Sequence, residues 1–258
     1  MRRPEELRGA LESYLETLAF WPELGRLEEA MRYALEPGGK RVRPVLCLAA
    51  AEAAGGALER ALPAAAAVEL VHTFSLVHDD LPALDDDAER RGRPSAHVAF
   101  GEGVALLAGD ALLAEAFRLA ASYDDPAIAR ELAEATLGMI GGQYLDVSSG
   151  EAAGDLAELH RLKTGRLFSC AVGLGVRTAG LPEAEQAPWR AFGDELGLLF
   201  QAVDDILDAD GLAAREGVEG ARRRADEAAA RAHARLAALP ADTSVLGELV
   251  DALAARTS

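Results

Sequence analysis

Leu7, Leu11, Leu15 and Leu18 recur at the three- and four-residue spacing that places them on one face of a helix, with polar residues between. Leu112, Leu113, Ala116, Phe117 and Ala120 repeat the pattern further along. Most of the chain reads this way. Turn formers interrupt it at Pro37-Gly38-Gly39, Gly55-Gly56, Gly92-Arg93-Pro94, Asp124-Asp125-Pro126, Gly150, Gly180-Leu181-Pro182 and Pro240. The segments between are roughly 15–30 residues long, the helix length of a large bundle. No Pro/Ser-rich linker and no repeat of fixed period is present, so residues 1–258 read as one all-α domain. The stretch 221–239, rich in Ala, Arg and Glu with charges all round, predicts an exposed helix.

Composition narrows the core and the partners. Half of the residues are hydrophobic but only 5% are aromatic, so the core must be assembled from small side chains. Abundant Ala, Leu, Glu and Arg favour helix and argue against an all-β fold. Lys+Arg 26 against Asp+Glu 43 leaves a net charge of −17, a surface that repels nucleic acid. An anionic ligand would then need basic groups gathered locally, or a divalent metal. Cys47 and Cys170 stand alone in apolar runs, as buried thiols of a reducing compartment do. The N-terminal segment turns acidic before any apolar stretch and does not read as a secretory signal. No uncharged apolar run reaches the roughly 18–20 residues of a membrane span. A cytoplasmic protein with no membrane span is expected. Only two lysines occur, Lys40 and Lys163, where arginine serves elsewhere, and a compact ammonium differs from a planar fork.

Candidate chemistry lies in two acidic clusters. Asp79, Asp80, Asp85, Asp86 and Asp87 follow an apolar helical run, and carboxylates crowded there raise one another's pKa unless cations neutralise them. Hard oxygen ligands in that number suit Mg²⁺ shared with substrate phosphates. Asp79 and Asp85 lie about 240° apart on an ideal helix, so a common site requires a bend at Pro82 or a bulge. In the second cluster Asp204 and Asp208 are one turn apart on an otherwise apolar helix that also carries Asp205. Buried charges need partners, so the two clusters are expected to face each other across metal ions. Cations gather at Lys40-Arg41-Val42-Arg43, at Arg90-Arg91-Gly92-Arg93 and at Lys163-Thr164-Gly165-Arg166. Basic patches alternating with Mg²⁺-type carboxylates suit a diphosphate ligand. The P-loop pattern is missing, which weakens a nucleotide triphosphate reading.

The pieces GGKRVRP, ELVHTFSLVHDDLPALDDDAERRGRPSAH, LLAGDALLAEAF, GGQYLD, KTGRLF and FQAVDDILD, in that order over roughly residues 35–210, resemble the trans-isoprenyl diphosphate (polyprenyl) synthases, near the bacterial farnesyl diphosphate synthases. The resemblance implies a large all-α bundle of the isoprenoid synthase type with a central active-site cavity, usually homodimeric. It implies Asp79 and Asp85 as ligands of two Mg²⁺ ions, supported by Asp80, and Asp204 with Asp208 for a third. Arg90 and Lys163 would grip the allylic diphosphate (dimethylallyl or geranyl), and Lys40, Arg43, His72 and Arg91 the isopentenyl diphosphate. Thr164 and Gln201 would turn oxygens toward the developing allylic cation, with Asp146 close by. His78 and His97 read as structural. If the helix before Asp79 is continuous, Phe74 lies about 7.5 Å deeper; the resemblance associates that position with a fifteen-carbon product, and farnesyl diphosphate is expected, with geranyl or geranylgeranyl diphosphate as alternatives. The chain departs from the family after Asp208. Asp210-Gly211 runs almost directly into Gly217-Val218-Glu219-Gly220, about twenty residues short, and a lysine expected to help bind diphosphate is lost with them. Arg215 is a weak substitute, and reduced rather than abolished activity is expected. A non-catalytic partner subunit would lose the Asp motifs. A terpene cyclase would need a metal triad with Asn, and this chain has no Asn.

Overall fold

The computed structural model describes residues 1–36, 39–149, 156–209 and 211–257. The predicted breaks at Pro37-Gly38 and Gly150, and Asp210 beyond the second acidic cluster, lie outside the described residues. Among the described residues everything regular is helical except one two-residue hairpin. In chain order the helices are α1 (Pro4–Thr17), α2 (Leu27–Leu35), α3 (Val42–Ala53), α4 (Leu58–Asp79), α5 (Ala96–Phe100), α6 (Glu102–Ala120), α7 (Pro126–Ser149), α8 (Leu156–His160), α9 (Arg166–Thr178), α10 (Glu183–Asp208), α11 (Gly211–Glu216), α12 (Val218–Ala237) and α13 (Ser244–Ala254). The predicted stripes are the buried ones: Leu7, Leu11 and Leu15 on α1, and Leu112, Ala116 and Ala120 on α6.

Small side chains decide how the helices pack. α4 lies against α3, α6 and α9, and α10 against α9 and α12. Ala61 and Ala64–Ala67 on α4 have no exposed surface, which lets neighbouring helices approach from several sides. By length and composition α4 could cross a membrane, but 67% of its apolar window is buried inside the bundle, as in a core helix. Between α3 and α9 the contact is closer still, since a Cβ on Gly175 would collide with the carbonyl oxygen of Cys47. Within α4, Pro63 interrupts the backbone ladder. The Tyr123 hydroxyl bridges the disturbed turn, accepting from the Ala64 N–H (3.0 Å) and donating to the Arg60 carbonyl (2.5 Å).

The structure corrects the reading of residues 221–239. α12 is exposed on its charged side only, and Ala221, Ala225, Ala228, Ala232 and Leu236 form a buried stripe at helical spacing. Alanines among arginines carry too little hydropathy contrast for that stripe to stand out in the sequence.

Candidate active site

The first acidic cluster sits where α4 stops. Asp79 is the last helical residue, Asp80 the cap, and the chain folds back so that the Asp85 N–H donates to the Asp79 carbonyl (2.9 Å) and the Asp86 N–H to the Leu81 carbonyl (3.2 Å). The bend required by the six-residue spacing is therefore a helix end closed by backbone hydrogen bonds, rather than a kink at Pro82. Asp79 lines a cavity and its pKa is pushed up to about 6, first by burial and further by Asp85 and Asp80, with Lys163 and Arg90 opposing. Asp80 points away from that cavity. It is buried and accepts from Arg90 Nε (2.8 Å) and Nη2 (2.5 Å); Arg90 Nη2 also donates to Asp87 (2.6 Å).

Arg90 belongs to the short hairpin β1 (Glu89–Arg90) and β2 (Arg93–Pro94). Its two-residue loop, Arg91-Gly92, has φ of +56° and +76°, the turn type that joins tightly twisted strands. The hairpin presents Arg90 and Arg91 to a cavity of about 410 Å³. Opposite stands the start of α3. Arg41, at a left-handed φ of +51°, turns inward and is buried against Glu69, with Glu12 (3.3 Å) and the Leu35 carbonyl (2.5 Å) completing its shell. With Arg41 anchored, Lys40 and Arg43 line the cavity on either side of it. Six basic side chains (Lys40, Arg41, Arg43, Arg90, Arg91, Arg256) meet two carboxylates there (Glu69, Asp204), the local positive charge that a −17 chain needs to hold an anion.

Arg43 packs against two aromatic rings. Burial lowers its pKa to about 10, its guanidinium carbon lies 4.5 Å from the centre of the Phe168 ring and 5.1 Å from that of Phe200, and its Nε has no hydrogen-bond partner among the described residues. It faces His72 Nε2 at 3.4 Å. Burial, and then the surrounding arginines, hold His72 well below the ordinary histidine range, so the ring stays neutral and accepts from Arg43.

A second cavity of about 530 Å³ shares Arg43, His72, Leu76, Phe200 and Asp204 with the first. Its lining is mainly apolar: Phe74, Leu84, Met139, Ile140, Val147 and Leu167 contribute. Phe74 is buried and meets His78 edge-on, the ring centres 4.9 Å apart. His78 Nε2 donates to the Leu106 carbonyl (3.0 Å), which ties α4 to α6, and His97 pairs with Ser95 (3.0 Å). Lys163 and Thr164 enter this cavity from a π-helical turn, Arg161–Gly165, between α8 and α9. Such widened turns aim side chains that a regular helix would not. α7 comes close enough to frame the turn because Gly142 lacks a Cβ, which would collide with the Lys163 backbone nitrogen. Lys163 Nζ donates to Asp146 (2.6 Å) across that contact.

The second acidic cluster ends α10 differently. Asp204 lies on both cavities, its pKa pushed up to about 6, first by burial and also by Asp208, with Arg256 and Arg43 opposing. Asp208 is exposed one turn further on. Asp205 is buried. It accepts from Gln201 Nε2 (2.7 Å) and from the Leu212 N–H at the start of α11 (2.8 Å), while Gln201 Oε1 accepts from the Thr164 hydroxyl (2.7 Å). The start of α11 is thus pinned to the core through Asp205. Arg215 is exposed on α11 and, among the described residues, outside the lining of both cavities.

Among the described residues no three His, Cys, Asp or Glu side chains converge tightly enough to hold a metal ion alone. Half-buried carboxylates from two helices on one cavity, beside a cationic cavity, do fit Mg²⁺, which keeps waters and takes ligands from substrate phosphates.

The predicted residues fall into place unevenly. Lys40, Arg43, His72, Arg90 and Arg91 share the cationic cavity, and Phe74, Asp79, Lys163, Thr164 and Asp204 the apolar one. Arg90 and Lys163, expected on one diphosphate, lie on different cavities, and Gln201 gives its oxygen to Thr164. Two residues escaped the sequence reading. Gln143 lines the apolar cavity with a buried amide oxygen that has no hydrogen-bond partner among the described residues; a lone amide in the GGQYLD run was the available signal. Arg256 reaches the cationic cavity from Leu-Ala-Ala-Arg, where nothing marks it.

The polyprenyl synthetase family profile matches residues 25–221. The geranylgeranyl diphosphate synthase of Cyanophora paradoxa is 45% identical over 193 residues, 70% of this chain, and the chain spans only 64% of that relative's length. The farnesyl diphosphate synthase of Bacillus subtilis (strain 168) is 36% identical over 262 residues, covering 89% of this chain and 88% of the relative. The crystal structure of an FPP/GFPP synthase from Zymomonas mobilis superposes with a TM-score of 0.86 at 31% identity, covering 97% of this chain and 98% of that one.

Proposed function

The chain belongs to the polyprenyl synthetase family, and from that footing we propose that it is a short-chain trans-prenyltransferase joining isopentenyl diphosphate to an allylic diphosphate, with farnesyl diphosphate as the product. One observation carries the reading: an apolar cavity edged by Asp79 and Asp204 opens through a shared wall onto a cavity lined by six cations. Two diphosphates, one with a hydrocarbon chain to shelter, match that pair.

In this reading Lys40, Arg43 and Arg91 hold isopentenyl diphosphate, with neutral His72 positioning Arg43. Lys163 binds the allylic diphosphate from the apolar side and Arg90 from the hairpin. Three Mg²⁺ ions, held by Asp79 with Asp85 and by Asp204 with Asp208, would supply the positive charge that stabilises a departing diphosphate. The allylic C–O bond breaks. The isopentenyl double bond supplies the electron pair for the new C–C bond, and a proton leaves C2 for an oxygen of the released diphosphate. Thr164 and Gln143 offer oxygens to the positive charge in between, and the apolar walls keep out water that would trap it. The exposed apolar side chains Leu106, Leu107 and Leu137 on α6 and α7, outside the lining of both cavities, support the expected homodimer.

Phe74 supports a fifteen-carbon product, since it lines the apolar cavity five residues, about 7.5 Å of helix rise, before Asp79 on α4. The geranylgeranyl relative at 45% identity favours a twenty-carbon alternative. Incubation with labelled isopentenyl diphosphate, geranyl diphosphate and Mg²⁺, with products resolved by length, separates the two. Fifteen carbons from the native chain and longer products from Phe74→Ala are expected. Identical lengths from both proteins would remove Phe74 as the floor.

A further inference from the structure

We propose that Phe168 is a positioning residue for isopentenyl diphosphate: its ring, paired with that of Phe200, holds the Arg43 guanidinium in place at the cationic cavity. The inference rests on the function proposed above and concerns a residue to which the resemblance gave no role. Phe168 has no exposed surface and lies outside the lining of both cavities, so it can act on a substrate only through a neighbour. Two glycines one turn apart on α10 bring it there. A Cβ on Gly193 would press on the Ser169 Cα (2.8 Å), and one on Gly197 on the Gly165 Cα (2.8 Å). With both Cβ atoms missing, α9 sits close enough to α10 for the Phe168 ring to meet that of Phe200, 5.0 Å from centre to centre. The Arg43 guanidinium carbon, 4.5 Å from the Phe168 centre and 5.1 Å from the Phe200 centre, completes a nearly equilateral triangle.

Arg43 is held differently from two arginines beside it. Arg41 is anchored on Glu69 and Glu12, and Arg90 on Asp80 and Asp87. Among the described residues Arg43 has no such carboxylate partner: its hydrogen-bonding contact is His72 Nε2 at 3.4 Å, and its buried Nε has none. A carboxylate fixes a guanidinium by neutralising it, and an incoming diphosphate must then break that pair. Ring faces fix it through their π electrons, most strongly where water is excluded, and leave its charge and donors to the ligand. The rings therefore meet, before the ligand arrives, the cost of ordering a long side chain that binding would otherwise carry. A leucine at position 168 would fill much of the same space with no negative face, and Arg43 would regain rotamers.

A hold on Arg43 and mere packing predict different patterns. Full-length native chain, Phe168→Leu, a chain carrying pentafluorophenylalanine at position 168, Arg43→Gln and the double variant Arg43→Gln/Phe168→Leu are titrated with isopentenyl diphosphate by calorimetry, without allylic substrate. Phe168→Leu should bind about fivefold more weakly, the cost of ordering one arginine side chain on binding. The fluorinated ring nearly keeps the shape but has an electron-poor face, and should bind at least as weakly. In both, the KM for isopentenyl diphosphate should rise with the dissociation constant, while kcat and the KM for geranyl diphosphate move less than about twofold. In the Arg43→Gln background, Phe168→Leu should weaken binding no further. Native affinity in the fluorinated chain, or the same loss with and without Arg43, overturns the inference while leaving the proposed function standing. Should Phe168→Leu fold too poorly to titrate, the fluorinated chain decides. A native chain that binds no isopentenyl diphosphate overturns both.

Discussion

The two acidic clusters start from the same Asp-Asp pair and are built differently. In each, the first aspartate (Asp79, Asp204) faces the apolar cavity with its pKa pushed up to about 6, and the second (Asp80, Asp205) is buried and saturated with hydrogen bonds. The third separates them. After Asp79 the helix ends, and a backbone-bonded turn carries Asp85 back beside it. After Asp204 the helix runs one turn more to Asp208, and Asp205 holds the next helix in place. A motif of aspartates thus divides its labour: one carboxylate is left costly and reactive, and its neighbour makes the backbone stay where that cost can be borne.

The largest effect should come from removing the reactive member. Asp79→Asn is expected to lower turnover about 10³-fold and Asp204→Asn about 10²-fold, the range for losing one preorganised contributor to a developing charge. Asp204 should be the milder of the two because Lys40 and Arg256 lie beside it. Without metal at pH 7 both variants should melt above the native chain, since each replaces a half-buried charge with a neutral amide. Steady-state kinetics together with thermal melts decide it. Variants that are inactive and also less stable would mean these residues hold the fold rather than the chemistry.

The structural members should show the reverse. Asp205→Ala strands the Gln201 amide and the Leu212 N–H at a buried site, and a loss of about 3 kcal/mol is expected in urea unfolding. Asp80→Ala leaves Arg90 its second partner, Asp87, and should cost about 1 kcal/mol. Equal losses would erase the distinction between a carboxylate that caps a helix and one that steadies a hairpin arginine.

How far the sequence reached follows the same division. Helical stripes made of leucine, such as Leu7-Leu11-Leu15, were legible because their hydropathy contrast is large, whereas the alanine stripe of α12 was not. The aspartates and cations were legible because chemistry of that kind needs those residue types, and the resemblance gave them order. What sequence could not supply was direction. Arg41 turns inward while Lys40 and Arg43 line the cavity, because a left-handed residue starts α3 and Glu69 waits beneath it, a contact between residues 28 apart. Arg256 and Asp204 are 52 apart and share no motif. Only the folded chain brings such pairs together.

The smallest expected effect is the most direct reading of the raised carboxylates. Asp79 and Asp204 titrate near 6 in the fold, above the ordinary aspartate value, so the folded state takes up protons more readily than the unfolded chain. Their contribution to stability is therefore fully present below about pH 4, the range of an ordinary aspartate, and is lost as pH rises through 6. Without metal, the native chain should show a melting temperature that declines between pH 5 and 7 through these two groups, and the double variant Asp79→Asn/Asp204→Asn should show a flatter profile. Divalent ions reverse the slope, because they bind the ionised carboxylates: Mn²⁺ affinity should weaken as pH drops below 6, when protons compete for the same oxygens. Parallel melting profiles for the native chain and the double variant would place the titration elsewhere, and the first aspartates of the two clusters would then be ordinary surface acids instead of a poised pair.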